Sequence, residues 1–360
     1  MIERARAWVD IARHAPSGDN SQPWDVALAA TGGNLALTLG LNDATKARPS
    51  LFDCAYAASY LSLGAFARNF TLLAAAEGCT LTGLREDAGR FTLTFAPGAV
   101  SPDTPGPDAT ATLIRRRTTN RRPFSREALD ADTRQTLDRL ARADGLTLRE
   151  FTGDAKSRLA GVFFELDVVR YRNARLYREF LAELRFGAEA TASPDGLRDT
   201  TLGTPAPALL FLRLLRALRN VRAVRAFFFI GLEKIMALVG CLVPIRQSAS
   251  VFVLSSPEDT PLGWFRLGLG FEQQWLEATR RNLSMQPLGT TLLVYRLERE
   301  QRRDETSSFS PSDQARLRAA AGRFTTEFGL DLGRPAIAFR LGRGPAIANQ
   351  SLRRPVIIHG

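Results

Sequence analysis

Two hairpin patterns in the first 100 residues constrain the fold most. Residues 25–41 contain two apolar runs separated by Thr31-Gly32-Gly33-Asn34, a turn sequence typical of antiparallel hairpins. Residues 79–95 alternate enough between apolar and polar side chains to predict another hairpin. Because strands and helices are then mixed without a regular βαβ alternation, the sequence favours an α+β fold over a doubly wound sheet.

Longer apolar periodicities predict the helices, and short β-branched runs predict the remaining strands. We expect helices over 4–14, 50–78, 125–143, 154–186 and 262–281. We expect strands over 146–151, 250–256, 292–295 and 336–341. The first long helix is expected to end at Gly78, and the last is followed by Asn282, which tolerates a left-handed conformation.

A linker separates two parts of unequal length. Residues 100–107 read VSPDTPGP, with three prolines and a glycine. We therefore assign residues 1–99 to an N-terminal half, 100–110 to the linker and 111–360 to a C-terminal half.

A basic cluster opens the C-terminal half. Residues 111–124 read ATLIRRRTTNRRPF, and Arg117, Thr119 and Arg121 are spaced so that they can converge on one anion. Ser125 is a good N-cap, which predicts that the cluster precedes a helix N-terminus, where the helix dipole also favours an anion. The alternative is a solvated basic turn between two domains.

A second polar stretch lies far upstream, where residues 16–24 read PSGDNSQPW. The side chains of Asn20 and Gln22 both donate and accept hydrogen bonds, as the mixed edge of a flavin ring requires. Taken alone, these two residues are more typical of a turn.

Together these two stretches resemble the nitroreductase superfamily of FMN enzymes. In this chain their order is the reverse of the usual one, which is similar to the single-chain, internally duplicated proteins of the Acg type. The resemblance implies a nitroreductase-like α+β fold with mixed or antiparallel sheets and packed helices. It also implies two pseudo-repeated halves that mimic the usual homodimer, with FMN at the seam between them.

The resemblance also assigns roles to individual residues. It places the FMN phosphate on Arg117, Thr119 and Arg121, with Arg353 of the SLRRP stretch at 351–355 as a third cation. It places the isoalloxazine ring against Pro16, Ser17, Asn20 and Gln22. It also places the backbone of Pro287, Leu288 and Gly289 along the ring, past N5. No acidic residue stands beside 287–289, which weakens the case for NAD(P)H-driven nitro reduction but not for flavin binding.

The implied activity is a two-electron oxidoreduction in which a hydride passes through FMN to a nitro, quinone or other acceptor. No protein nucleophile is required, so we assign no catalytic residue. The expected partners are a small-molecule substrate and NAD(P)H, in a monomer or a loose homodimer. Two alternatives remain: a flavin-sequestering protein whose lid excludes nicotinamide, and a specialised biosynthetic flavin dehydrogenase.

Charge and composition exclude several other classes. The net charge is +11, but the basic residues are spread out and form no nucleic-acid motif, so we expect an anionic cofactor or, less favoured, a membrane surface as partner. The three cysteines are isolated and only two histidines occur, so no metal site is expected. The first ten residues lack an apolar core, which predicts a cytoplasmic location.

Residues 205–244 are unusually apolar and also basic. An arginine recurs every three residues over the first part: Arg213, Arg216, Arg219, Arg222 and Arg225. Glu233 and Lys234 interrupt the later apolar run, which disfavours a membrane span. We expect an inserted helical cap over a ligand site at about 200–245, or a surface helix resting on a membrane; the alternative is a helical hairpin packed on the core.

Overall fold

The structure, a computed structural model, describes residues 1–220, 231–347 and 349–360. It is an α+β fold in which helices pack against two larger sheets, one of five strands and one of four, and it also contains a short two-stranded parallel sheet. The α+β prediction is confirmed.

The first sheet is formed by the two predicted hairpins. Gly32 and Gly33 adopt φ of +59° and +83°, which suits the tight turn between its first two strands. The strand order is β11-β1-β2-β4-β3, with β11 parallel to β1 and all other pairs antiparallel. Its elements in chain order are α1 (Ile2–Ala12), β1 (Trp24–Thr31), β2 (Asn34–Leu41), α2 (Asp43–Ala47), α3 (Ala57–Ala76), β3 (Cys79–Asp87), β4 (Arg90–Pro97) and, from the C-terminal segment, β11 (Ile358–His359).

The second sheet has the order β5-β8-β10-β9 and is antiparallel throughout. Its two central strands are buried, since five of the six residues of β8 and every residue of β10 are buried, whereas most residues of the edge strands β5 and β9 are exposed or half-buried. The elements after the linker are α4 (Pro107–Arg116), α5 (Ala131–Ala143), β5 (Thr147–Phe151), α6 (Gly153–Arg172), α7 (Ala174–Glu183), β6 (Leu184–Arg185), α8 (Ala188–Ala192), β7 (Leu197–Arg198), α9 (Ala206–Ala217), α10 (Leu232–Ala237), α11 (Val243–Arg246), β8 (Ser250–Ser255), α12 (Pro261–Arg280), β9 (Ser284–Leu288), α13 (Thr291–Arg302), α14 (Pro311–Phe328) and β10 (Ala336–Gly342).

The first four strands of the five-stranded sheet and the four strands of the second sheet are connected in the same order. In each, the first two strands are antiparallel neighbours, a long helix follows, and the third strand lies at the edge beyond the fourth. The long helices α3 and α12 both end before a left-handed residue, Gly78 at φ +76° and Asn282 at φ +55°. Both predicted helix ends are thus confirmed.

The helices α3 and α12 cross at a backbone contact in the middle of the molecule. A Cβ added to Gly64 would lie 1.9 Å from the carbonyl oxygen of Phe265, and one added to Gly268 would lie 1.9 Å from that of Leu61. Only glycine permits this approach. The contact joins the two sheets along the boundary between the two halves, which we call the seam. The candidate site lies on the same boundary.

The prediction of a helix beginning at Ser125 is wrong. The helix α5 begins at Ala131, and Asp130 caps it through a 2.7 Å bond from the amide of Thr133. The backbone amides of Phe124 and Ser125 instead donate to carbonyls of other segments. The basic cluster therefore follows the C-terminus of α4, where the dipole favours cations, and does not precede a helix N-terminus.

Four further elements differ from the predictions. The helix expected over 50–78 begins only at Ala57, and the helix expected over 154–186 is divided at Asn173 into α6 and α7 and ends at Glu183. The expected strand over 292–295 lies inside helix α13, because a four-residue apolar run fits a buried helix as well as a strand. The strand β9 was not predicted, since its sequence SMQPL includes a proline and only weak β-formers.

The described parts of the 205–244 segment pack on the helices that follow β5. Leu215 of α9 and Ala237 of α10 join an apolar cluster with Val168, Tyr177 and Leu181. A π-helical turn, Leu238–Leu242, connects α10 to α11. Arg222, Arg225 and the apolar run up to residue 230 lie outside the described residues, and the predicted cap function stays a prediction.

Candidate functional site

The loop after α1 holds an unusual run of left-handed residues. Asp19, Asn20 and Gln22 have φ of 49°, 59° and 54°. Each such non-glycine residue costs about 1–3 kcal/mol and persists only where its surroundings hold it. The Gln22 amide donates to Ser17 Oγ at 3.0 Å, and Asn42 donates to the Gln22 carbonyl at 2.9 Å. The stretch predicted to face a flavin is thus strained and tightly held.

Two buried amides connect this loop to distant segments. Gln22 Nε2 donates to the carbonyl of Pro194 at 2.8 Å, and Gln22 Oε1 accepts from the backbone amide of Arg354 at 2.8 Å. Asn20 Nδ2 donates to the carbonyl of Leu352 at 3.1 Å. Asn20 and Gln22 therefore join the loop both to the residues inserted after β5 and to the C-terminal segment. Pro16, which opens the loop, is half-buried.

Arg353 reaches the same loop from the C-terminal segment. Its Nη1 donates to Asn20 Oδ1 at 2.6 Å, and its Nη2 lies 3.4 Å from the carbonyl of Ala15. Its Nε is buried and has no hydrogen-bond partner in the described part of the chain. Burial and, to a smaller extent, the neighbouring charge of Arg117 lower the pKa of Arg353 to about 9. Arg353 is thus a half-buried cation whose hydrogen bonds go to neutral oxygens.

Arg117 lies beside Arg353 but has a different partner. Its Nη2 donates to the carbonyl of His14 at 2.7 Å, the same carbonyl that Arg353 Nη2 approaches at 3.5 Å. Its Nε lies 3.2 Å from Oε1 of Glu272, and its guanidinium lies 4.5 Å from the ring of Trp275. This pair is wholly interior, so Glu272, when ionised, balances the charge of Arg117.

Two ionisable groups in this cluster are shifted in opposite ways. Burial raises the pKa of Glu272 to about 7, although Arg117 opposes the rise. Burial lowers the pKa of His14 to about 4, and Arg353 and the other nearby arginines contribute to the shift. At neutral pH, His14 is therefore uncharged.

A second group of predicted residues lies along β9. Thr119 forms a parallel bridge with Met285, and the amide of Asn120 donates to the Met285 carbonyl at 3.0 Å. This pairing places the 117–122 turn beside the strand that ends in Pro287 and Leu288. The 117–122 turn thus contacts both sets of predicted residues. Arg117 joins the network of Asn20, Gln22 and Arg353, and Thr119 pairs with β9.

The end of β9 is partly open. Pro287 pairs with Phe339 of β10, and the side chain of Leu288 is buried. No atom lies within 4 Å of where a Cβ on Gly289 would stand, so the protein itself does not require glycine there. The space beside Gly289 leaves room for a ligand to approach the backbone.

Arg121 belongs to the same turn and lies between the network of Asn20, Gln22 and Arg353 and the predicted residues along β9. Its Nη1 donates to the carbonyl of Thr201 at 3.2 Å. Burial lowers the pKa of Arg121, while the charge of Asp19 in the strained loop acts to raise it. Arg121 therefore lies close enough to Asp19 for their charges to interact, which connects the 117–122 turn with the loop of Asn20 and Gln22.

Sequence reasoning missed Arg340, which fixes the conformation of this turn. Arg340 is fully buried in β10 and donates to the carbonyl of Arg122 at 2.8 Å, to Gln286 Oε1 at 2.6 Å and to the carbonyl of Pro244 at 3.2 Å. Its guanidinium lies 3.8 Å from the ring of Phe124. A signal was present, because a single arginine in the apolar run AIAFRLG is unusual for a buried strand.

A cavity of about 560 Å³ adjoins the other side of the Gln22 loop. This volume is within the usual range for small-molecule sites. Its basic side chains already have acidic partners, since Arg90 and His359 lie 3.4 and 3.0 Å from Asp25 and Lys46 lies 3.3 Å from Asp43. An anionic group would find less uncompensated positive charge there than at Arg121 and Arg353.

The structure therefore joins Ser17, Asn20, Gln22, Arg117 and Arg353 in one hydrogen-bonded network and places Thr119, Pro287 and Leu288 along β9. The three cysteines are buried free thiols. No family model matches the chain, and no curated protein matches it either.

Proposed function

We propose that the protein is an FMN-dependent oxidoreductase of the nitroreductase type, which passes two electrons to a nitro, quinone or other acceptor. One observation carries the proposal. The strained Ser17–Gln22 loop, the 117–122 turn and Arg353 come from three distant parts of the chain and converge at the seam between the two sheets.

The proposal includes an internal duplication. The shared strand order supports it, and so does a local match between the central helices. Leu63-Gly64 and Leu267-Gly268 make the crossing in equivalent positions, and Gly78 and Asn282 follow at the same separation. In this reading the seam corresponds to the interface of a two-subunit relative, and one chain holds one complete site.

The residues at the seam suit an anionic cofactor. Arg121 and Arg353 hydrogen-bond to carbonyl and amide oxygens, and Arg353 Nε is buried without a partner among the described residues. Cations whose hydrogen bonds go to neutral oxygens are stabilised by an anion, and guanidinium groups match phosphate oxygens. We assign the phosphate to Arg121 and Arg353, with Thr119 of the 117–122 turn as a further contact, and Arg117 supports them from the interior.

The remaining residues would contact the ring of the cofactor. Bound FMN would supply the two-electron chemistry. We assign Ser17, Asn20 and Gln22 to its polar edge and the backbone of Pro287–Gly289 to the side where the chain is open. A change of hydrogen-bond partners for the Gln22 amide is part of this assignment, because the amide now contacts the Pro194 carbonyl and the Arg354 amide.

Titration of the purified protein with FMN, followed by absorption and by thermal unfolding, tests the assignment. Loss of one charge-assisted hydrogen bond costs about 1.5–3 kcal/mol, so Arg121→Gln and Arg353→Gln should each weaken FMN binding about tenfold or more. Arg122→Gln is the matched control, because its half-buried side chain belongs to the same turn and, within the described residues, donates its one hydrogen bond to the carbonyl of Ala346.

Two results would separate the possibilities. A protein that neither binds nor is stabilised by FMN would refute the proposed cofactor. If FMN binds but neither NADPH nor NADH supports reduction of a quinone, the protein is a flavin-binding protein and not this oxidoreductase.

A further inference from the structure

Exposed hydrophobic side chains are concentrated on one short segment. Of the eleven large hydrophobic residues that are exposed in the described part of the chain, seven lie between residues 206 and 246. They are Leu210, Phe211, Leu214, Ile235, Leu238, Val239 and Val243. Scattered exposed apolar residues need no explanation, but a concentration of this kind marks an interaction surface.

The exposed residues form a second apolar face on each helix. In α9, Leu215 is buried, while Leu210 and Leu214 are 68% and 54% exposed, one turn apart. In the helical stretch that runs from α10 through the π-helical turn to α11, the buried residues Ala237, Cys241 and Ile245 recur every four positions. Ile235, Val239 and Val243 recur in the same way and are exposed. A helix that is apolar on both faces is normally covered on both.

The same segment carries much of the positive charge of the protein. Residues 205–246 include seven basic residues and one acidic residue, a net +6 of the chain's +11. The acidic residue, Glu233, is only 4% exposed. Arg213, Lys234 and Arg246 are exposed beside the apolar face. The outer side of the segment therefore combines exposed aliphatic groups with uncompensated cations.

We propose that α9, α10 and α11 form a docking surface for an anionic lipid bilayer. The aliphatic side chains enter the boundary between headgroups and acyl chains, and the arginines and lysine contact the anionic headgroups. A second copy of the chain fits less well, because a symmetric contact would bring two cationic faces together.

The geometry indicates binding along the surface and not insertion across the membrane. Within the described residues, no helix is both long enough and apolar enough to cross a bilayer. The helix α9 has twelve residues, about 18 Å, against a hydrocarbon core of about 30 Å. This inference does not depend on FMN binding.

Flotation of the full-length protein with lipid vesicles tests the proposal. We expect binding to vesicles of phosphatidylcholine mixed with phosphatidylglycerol, and at least tenfold weaker binding to phosphatidylcholine alone or in high salt. The double variant Leu210→Glu/Leu214→Glu should lose roughly a hundredfold in binding, because two side chains no longer enter the apolar layer. Val100→Glu, 48% exposed but outside the segment, is the matched control.

Three results would overturn the proposal: no binding to any vesicle, equal binding to neutral and anionic vesicles, or unchanged binding of the double variant. Light scattering distinguishes the rival occupant, since a dimer that Leu210→Glu/Leu214→Glu dissociates, without vesicle binding, would assign the surface to a second copy. Val239→Glu on the other helical piece provides an independent variant if the double variant unfolds.

Discussion

The two sheets share a strand order but differ in what joins their first two strands. In the first sheet, Gly32 and Gly33 alone connect β1 to β2. In the second, residues 152–249 separate β5 from β8 and contain six helices within the described residues. The same architecture thus occurs once in a minimal form and once with a large insertion.

The difference shows where the protein has room for function. The first half contributes the strained Ser17–Gln22 loop, which is short and held by its neighbours. The second half contributes the Thr201 and Pro194 carbonyls, the apolar surface helices and the buried Arg340, all within or against the insertion. Loops and insertions on a rigid scaffold commonly carry binding residues.

Substitution of the crossing glycines is expected to have the largest effect. Gly64→Ala and Gly268→Ala each place a methyl group 1.9 Å from a backbone oxygen of the other helix, so the helices must separate. We expect each to lower the free energy of unfolding by about 3 kcal/mol. Urea denaturation measures this, and similar losses would support equivalence of the two halves.

The helix α6 offers a matched control for this experiment. Nothing lies within 4 Å of a Cβ added to Gly161, so Gly161→Ala should stabilise the protein by about 0.5–1 kcal/mol through helix propensity. A large loss from one crossing glycine and none from the other would show that the halves are not equivalent.

Replacement of Arg340 tests what distinguishes β10 from its counterpart β4, which carries Leu93 and Phe95 without a buried cation. Arg340→Met leaves the carbonyls of Arg122 and Pro244 without a donor. The expected cost is about 2 kcal/mol, since the loss of these bonds is partly offset by removal of a buried charge. Thermal unfolding and FMN titration measure the stability and the binding.

On the edge strand β5, Arg149→Met serves as the control. Among the described residues its exposed guanidinium donates one hydrogen bond, to the carbonyl of Gly329, and lies 5.8 Å from the ring of Phe151, so a change within about 0.5 kcal/mol is expected. If the two variants behave alike, Arg340 does not organise the turn.

The smallest expected effect concerns the pH dependence of stability, to which one group in each half contributes in opposite directions. Glu272 of the second half has its pKa raised from 4.5 to about 7, so its contribution to stability falls as pH rises through this window. His14 of the first half has its pKa lowered from 6.5 to about 4, so its contribution is lost as pH falls through that window.

Replacing one of these two groups should reveal the pH dependence of stability that the other contributes. Glu272→Gln should lose more stability than wild type on acidification from about pH 7 to pH 5, by about 1–2 kcal/mol, because the compensation from Glu272 is absent. His14→Gln should show the opposite change. Denaturant titrations at several pH values measure both, and parallel profiles for all three proteins would contradict the assignment.

Local patterns were sufficient for most of the fold. The Gly32-Gly33 turn, the left-handed ends at Gly78 and Asn282, and the apolar periodicity of the long helices are all encoded by neighbouring residues. The start of α5 was not, because Ser125 is a good N-cap by composition but its backbone amide is taken by the distant carbonyl of Arg343. Tertiary contacts there override a local preference.

Contiguous motifs nominate residues for the candidate site, but contacts between distant residues leave no local pattern. The PSGDNSQPW stretch and the Arg117–Arg121 cluster were both identified, and the structure joins Arg117 and Asn20 through His14 and Arg353; that they bind FMN stays a prediction. The burial of Arg117 against Glu272 joins residues that are far apart in sequence, and no local pattern signals it. The same holds for the bonds that Arg340 makes to the turn.

The pairing of β11 with β1 has a consequence for synthesis of the protein. Arg353 contacts Asn20 across 333 positions of the chain, and Ile358 pairs with Val26. The ribosome therefore synthesises the segment that completes the seam long after the loop that it contacts. Until then the loop lacks these contacts and the pocket is incomplete. Nascent chains in this interval, and any product released early, would lack the Arg353 cation, so chaperone dependence should concentrate late in translation.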